Sequence, residues 1–232
     1  MKGLDPAQMR KLKDPAMEPF RAVLGKNRLF RGMTEARMDR ALQILRAEYR
    51  EYRKGEFLHH AGQPMNRFGL VLCGAVRVCT DDIEGSRMIM AEVSPGVTFG
   101  ESLSFLRIPE PGIYVTAAED TGVLWLSAEE CFSEQADAEL ELPKRFTALL
   151  AERALAMNDR IQILSKLTLR QKLIAFFTSA SRSAGSRTFS VSMNREDMAV
   201  YMGTNRSALS RELAQMKREG ILDYYRNSFQ LL

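Results

Sequence analysis

The chain has 232 residues, 45% of them apolar, with 33 Lys/Arg against 29 Asp/Glu and a formal net charge of +4. This profile excludes a disordered tail or a disulfide scaffold and implies one or two ordinary globular domains, but a net of +4 is too small to name a partner. Cys73, Cys79 and Cys131 lack metal-ligand spacing and read as reduced thiols, no apolar run approaches the ~18 residues of a membrane span, and the N-terminus lacks a signal-peptide core. A cytoplasmic protein with no membrane partner is expected.

Residues 1–27, with Pro6, Pro15 and Pro19, form an N-terminal extension to which no firm structure is assigned. Thr34 then caps a helix over 35–46, in which Met38, Ala41, Leu42 and Leu45 recur at helical spacing. Nine of the fifteen glycines fall between Gly55 and Gly122 and mark tight turns. Between them lie short β-type runs at 68–73, 75–80, 86–93, 113–118 and 123–127, the pattern of a barrel or jelly roll built from hairpins. Residues 28–136 are therefore assigned to a β-roll domain, in which Ser127-Ala-Glu-Glu130, where the strands end, reads as a capping box opening a short helix.

A glycine-free stretch from about 143 to 167 predicts a long helix with Pro143 in its first turn. One of its seams is Leu150, Ala154, Met157, Ile161 and Leu164; the other runs Leu142, Phe146, Leu149, Arg153, Ala156, Arg160, Ile163 and Leu167. The simplest arrangement sets one stripe on the β domain and the first-named on a second copy of the chain, making it the dimer interface. The alternative is a helix buried wholly in its own subunit. A second capping box, Thr168-Leu-Arg-Gln171, restarts the helical register, so 137–168 is read as dimerisation helix and hinge, with a separate domain over 169–232.

That last segment holds ten Lys/Arg and five Asp/Glu, a net of +5, which leaves −1 for residues 1–168. All the excess positive charge lies where phosphates would be met. Residues 194–220 read as helix, turn, helix, stop: Asn194 caps the first helix, Ala199 is small where the helices cross, Gly203 permits the left-handed turn, Thr204 or Asn205 caps the second helix, and Gly220 ends it. Leu209, Leu213 and Met216 form its inward stripe. Opposite them stand Arg206, Ser207, Ser210 and Arg211, suited to base edges in a major groove. Glu212 sits where such motifs usually carry an apolar residue. Strands at 221–225 and 228–232, joined by Arg226-Asn227, with 189–193 as a third, complete a winged helix-turn-helix. The DNA-contacting set is Thr204, Asn205, Arg206, Ser207, Ser210, Arg211, Arg195 and Arg226.

The order of parts resembles the Crp-Fnr superfamily of transcription regulators over about residues 28–232. The resemblance is carried by Lys54-Gly-Glu-Phe, Gly69–Gly74, Ser94-Pro-Gly-Val-Thr-Phe-Gly-Glu101 and Arg206–Leu213. It implies an α+β chain of cyclic-nucleotide-binding-like β-roll, dimerisation helix and winged helix-turn-helix. It also implies a homodimer that binds a palindromic double-stranded DNA site, with RNA polymerase as partner and a small-molecule effector of unknown identity. By position, Arg206, Ser207 and Arg211 fall at the family's base-reading places, with Ser207 where the cyclic-AMP receptor protein has an acidic residue.

The expected effector pocket is Phe99, Gly100, Glu101, Ile113 and Tyr114. The resemblance places a phosphate-binding Arg followed by Ser or Thr in this region, yet Pro111, Gly112, Ile113 and Tyr114 stand there, so cyclic AMP is disfavoured, with Arg107 the one nearby residue able to replace that Arg. An iron–sulfur cluster lacks its thiolates. Haem would need His59, His60, Cys73 or a methionine as ligand, and the two histidines point to opposite faces of a strand. A small apolar or aromatic ligand, or none, fits Ile113 and Tyr114 better; neither cofactor nor metal is predicted. No nucleophile–base pairing or phosphate-cradling loop points to an enzyme. A rival reading is a cyclic-nucleotide- or haem-binding module acting on a protein partner, which leaves the basic helix-turn-helix unexplained.

Overall fold

The computed structural model describes residues 18–81, 87–108, 112–137, 140–191 and 193–232. The chain divides into two compact units, Met1–Ala151 and Glu152–Leu232. Two helices, α1 (Glu18–Lys26) and α2 (Glu35–Ile44), open the described part of the first unit. Thr34 caps α2 as expected, accepting from the Arg37 N–H. Helix α1 corrects the blank assignment of residues 1–27: Leu24 is buried in the first core, and Asn27 ties the end of the helix to the Gly96 carbonyl at 3.0 Å.

Among the described residues eight strands follow: β1 (Glu48–Tyr52), β2 (Phe57–His59), β3 (Phe68–Cys73), β4 (Val76–Asp81), β5 (Arg87–Val93), β6 (Thr98–Phe99), β7 (Ile113–Ala117) and β8 (Thr121–Leu126). They form two four-stranded sheets, ordered β1-β8-β3-β6 and β2-β7-β4-β5. The fold class is as expected, an N-terminal β-roll ahead of long helices and a C-terminal helix-turn-helix. Period-two alternation on β3 and β8 explains their unbroken apolar runs. Phe68, Leu70, Leu72, Leu124 and Leu126 point to the helices and join the core of Leu24, Phe30, Leu45 and Phe146. Val71, Val123 and Trp125 point the other way, into a second core with Met65, Val76, Phe99 and Val115. Phe99 lies edge-on to Trp125, with ring centroids 5.4 Å apart, and occupies the space that a side chain on Gly69 would need.

Helix α3 (Glu101–Leu106) lies between β6 and β7, and the short α4 (Glu134–Asp137) precedes the long α5 (Leu142–Leu164). The Ser127 box is only half made: Ser127 Oγ accepts from the Glu130 N–H at 3.4 Å, and the segment Glu129–Phe132 is a 3₁₀ turn rather than an α-helix. Cys79 and Cys131 are buried and Cys73 is half-buried, all as free thiols. Burial, helped by neighbouring Glu130, pushes the Cys131 thiol up to about 12.

The second unit carries the end of α5, then α6 (Leu169–Ala184), β9 (Thr188–Ser190), α7 (Arg195–Met202), α8 (Arg206–Arg218), β10 (Leu222–Tyr225) and β11 (Ser228–Leu231). The Thr168 capping box is complete in both directions. The three strands pair antiparallel in the order β10-β11-β9, and Phe177, Phe189, Met198, Leu209, Leu213, Met216 and Phe229 fill the core.

Candidate functional site

Local chemistry fixes the helix-turn-helix residue by residue. Asn194 Oδ1 accepts from the Asp197 N–H at 2.9 Å and starts α7. Gly203 ends it at φ 68°, with its N–H on the Val200 carbonyl and that of Thr204 on the Ala199 carbonyl. Lys172 on α6 donates to the Met202 carbonyl at 3.1 Å and holds the same turn from outside. Asn205, rather than Thr204, caps α8, accepting from the Ala208 N–H at 2.8 Å. At the far end Gly220 adopts φ 72° and the Ile221 N–H reaches the Met216 carbonyl, the bond pattern of a glycine-terminated helix.

Helix α8 is two-faced. Leu209, Leu213 and Met216 are fully buried, while Asn205, Arg206, Ser207, Ser210 and Arg211 are exposed on its outer side. Arg206 lies 3.9 Å from Glu196, a loose contact between two exposed groups, and Arg211 has no ion-pair partner among the described residues. Glu212, the residue that breaks the apolar pattern, accepts from Arg170 Nε of α6 at 2.6 Å. The same guanidinium donates to Glu219 at 2.6 and 3.2 Å. One arginine on α6 thus grips α8 at two points along its length, and Glu212 is there for that grip. Its bonds to these two carboxylates raise the Arg170 pKa, Glu219 giving the larger effect, so the guanidinium stays charged.

Arg226 stands at the wing tip in the left-handed region, φ 52°, over the Tyr225 ring. Arg195 is placed differently from the other members of its set. Its guanidinium is half-buried over the Tyr224 and Phe229 rings at 5.2 and 4.9 Å and donates to the Arg226 carbonyl at 2.6 Å. Burial lowers its pKa. Arg195 braces the wing and does not project from the surface.

On α5 the two seams separate. Leu142, Phe146 and Leu149 are buried in the first unit and Ile163 in the second. The other stripe is open: Leu150 is half-buried, Ala154 is exposed, and Met157, Ile161 and Leu164 are 65%, 58% and 38% exposed.

The expected effector pocket does not come together. Val115 faces the inter-sheet core, so by strand alternation Ile113 shares that face and Tyr114 does not. Tyr114 packs against Phe57 and donates its hydroxyl to Asp81 at 2.7 Å. Phe99 is buried against Trp125, Gly100 is at φ 79° with Met65 filling the space a Cβ would take, and Glu101 is buried and accepts from the Thr98 hydroxyl. Arg107 is exposed and pairs with Glu129; Pro111 lies outside the described residues. Among the described residues of the expected pocket none is an arginine or lysine that could meet a cyclic phosphate, and Phe99, Met65 and Trp125 pack together in the inter-sheet core. His59 is buried and His60 exposed, stacked on Phe57 at 4.7 Å. Among the described residues no group of three or more His, Cys, Asp or Glu is placed to hold a metal ion, and no helix is long and apolar enough to cross a membrane.

Two family models match the chain: a cyclic nucleotide-binding domain over residues 49–136 and a Crp-like helix-turn-helix domain over 171–232. A cyclic AMP receptor protein of Thermus thermophilus is 27% identical over 194 residues, covering 84% of this chain and 87% of the relative. An anaerobic regulatory protein of Pasteurella multocida is 25% identical over 198 residues, covering 82% and 70%. The crystal structure of a catabolite activator protein from Thermus thermophilus superposes with a TM-score of 0.51 at 24% identity, covering 89% of this chain and 94% of that one, and shows the same fold. A sensor-type β-roll, a helix-turn-helix capped and terminated as described, and both domain matches in the same order make the chain a member of the Crp-Fnr family of transcription regulators.

Proposed function

We propose that the chain acts as a homodimer, reads a palindromic promoter site with Arg206, Ser207, Ser210 and Arg211, and answers to a small-molecule effector bound in the β-roll. The carrying observation is the two-faced α8, whose polar side is open near its N-terminal end while its apolar side is locked in the core. Arg206 and Arg211 present planar forks of donors suited to guanine O6 and N7, whereas Ser207 and Ser210 serve bases or phosphate according to reach. Thr204 and Asn205, at the start of the helix, and Arg226, at the wing, would contact backbone and set register.

The open stripe on α5 supports pairing with a second copy, which would set two recognition helices in successive major grooves about 34 Å apart. The effector would act by binding one of two states more tightly, and RNA polymerase is the expected partner at the promoter. Selection from randomised double-stranded DNA with the intact chain should return an inverted repeat. Failure to enrich any sequence at moderate salt, with and without cell extract, would overturn the reading.

A further inference from the structure

We propose that the first unit binds a small organic anion, a carboxylate on a small carbon body, in a cleft of about 430 Å³ where β1 and β2 form edges of the two sheets. The strand β6 that carries Phe99 is the opposite edge of the sheet that β1 begins, and the lining residues Trp125 and Met65 stand between the cleft and the Phe99–Gly100 segment.

The charge of the wall selects an anion. Arg50 Nε and Arg67 Nη1 both donate to one carboxylate, that of Glu48, at 2.7 and 3.2 Å. Two guanidinium groups thus share a single counter-charge, leaving one positive charge on the wall. Arg67 Nη1 also donates to the Arg46 carbonyl at 2.9 Å. Both of these bonds use the same nitrogen, so the group is fixed while the rest of its fork can receive a carboxylate. Behind them His59, only 9% exposed, has its pKa lowered by burial and by His60, and offers a neutral imidazole that adds no charge at pH 7.

The floor adds a narrow strip of carbon beside this polar wall. Trp125, 8% exposed, already donates its indole N–H to Tyr52 Oη at 2.9 Å, so the edge it offers an occupant is carbon, continued by half-buried Leu58 and exposed Pro64. The volume exceeds the needs of a lone inorganic anion and falls within the range of small-molecule pockets. The far side of Trp125 packs on Phe99, so an occupant would press on the segment that opens α3.

Trp125 is the single tryptophan of the chain, so its emission reports from the floor of the cleft. The intact chain, without DNA, is titrated with benzoate, with benzamide as the uncharged isostere and inorganic phosphate as the anion without a ring. The expected result is a saturable change with benzoate, at least tenfold tighter than either control. Arg50→Gln and Arg67→Gln should each weaken benzoate binding at least tenfold. Should Arg67→Gln unfold for loss of its tether to Arg46, the exposed Arg50→Gln decides. No saturable response to benzoate, an equal response to benzamide or phosphate, or unchanged affinity in Arg50→Gln would overturn the proposal. Because no DNA is present, this outcome and that of the DNA selection are independent.

Discussion

Ile161 tests the dimer directly. It is 58% exposed on the open stripe of α5, and truncation to alanine removes three carbons. At about 0.8 kcal/mol per buried CH₂, scaled by the 58% now open and counted on both copies, the loss is about 3 kcal/mol of association energy, roughly a hundredfold in the dimer dissociation constant. Folding should barely change, because the side chain is not in either unit's core. Leu149, 7% exposed on the other seam, gives the opposite result: Leu149→Ala should cost roughly 2–5 kcal/mol of folding stability and leave the association constant near its parent value. Sedimentation equilibrium over a concentration series, paired with urea denaturation, separates the two. A parent chain that stays monomeric at micromolar concentration, or an Ile161→Ala variant that dimerises as tightly as the parent, would refute the assignment of the stripe.

Arg206→Ala and Arg211→Ala should each relax preference at one base position per half-site, costing about 1–3 kcal/mol for the preferred sequence; equal loss on every sequence in a binding array would make them backbone contacts. Gly203→Ala should cost only ~1 kcal/mol, because nothing but the Lys172 amine, 3.9 Å away, lies near the new methyl and the penalty is the left-handed backbone. Gly69→Ala, which drives a methyl into the Phe99 ring, should cost more, ~1–3 kcal/mol, and a reversed order in urea midpoints would refute both accounts. The folded pKa of His59 lies below its ordinary 6.5, so the unfolded chain binds a proton that the folded chain refuses. Its contribution is full above pH 6.5 and is lost as pH falls toward the folded value. Between about pH 7.5 and pH 5 the parent's urea midpoint should therefore fall further than that of His59→Gln, and parallel curves would rule this out.

The helix-turn-helix was legible because its signals are local: Asn194, Gly203, Asn205 and Gly220 each meet a backbone demand within four residues of themselves. Glu212 was not, since its partner Arg170 is 42 positions away. Strand β1 was missed because Glu48-Tyr-Arg-Glu-Tyr52 carries charge on both faces; as an edge strand it packs only Tyr49 and Tyr52 on the two cores and gives Glu48 and Arg50 to the cleft. Tyr114 was grouped with Ile113 in one pocket because Ile113-Tyr-Val115 is apolar throughout, and alternation cannot choose an inner side without a neighbouring strand. Helix α1 was obscured by nearby prolines, and its evidence is Leu24 packing against residues far along the chain.

The grip of Arg170 on α8 has a consequence for how such a chain can change its targets. The groups that hold the helix, Leu209, Leu213, Met216, Glu212 and Glu219, share no residue with the set that faces outward. Substitutions at Arg206, Ser207, Ser210 and Arg211 can therefore be sampled with little loss of folding stability, and if these residues read bases as proposed, new DNA preferences would arise by drift through folded intermediates. The same separation makes these four positions a natural library for retargeting the regulator while its scaffold is left untouched.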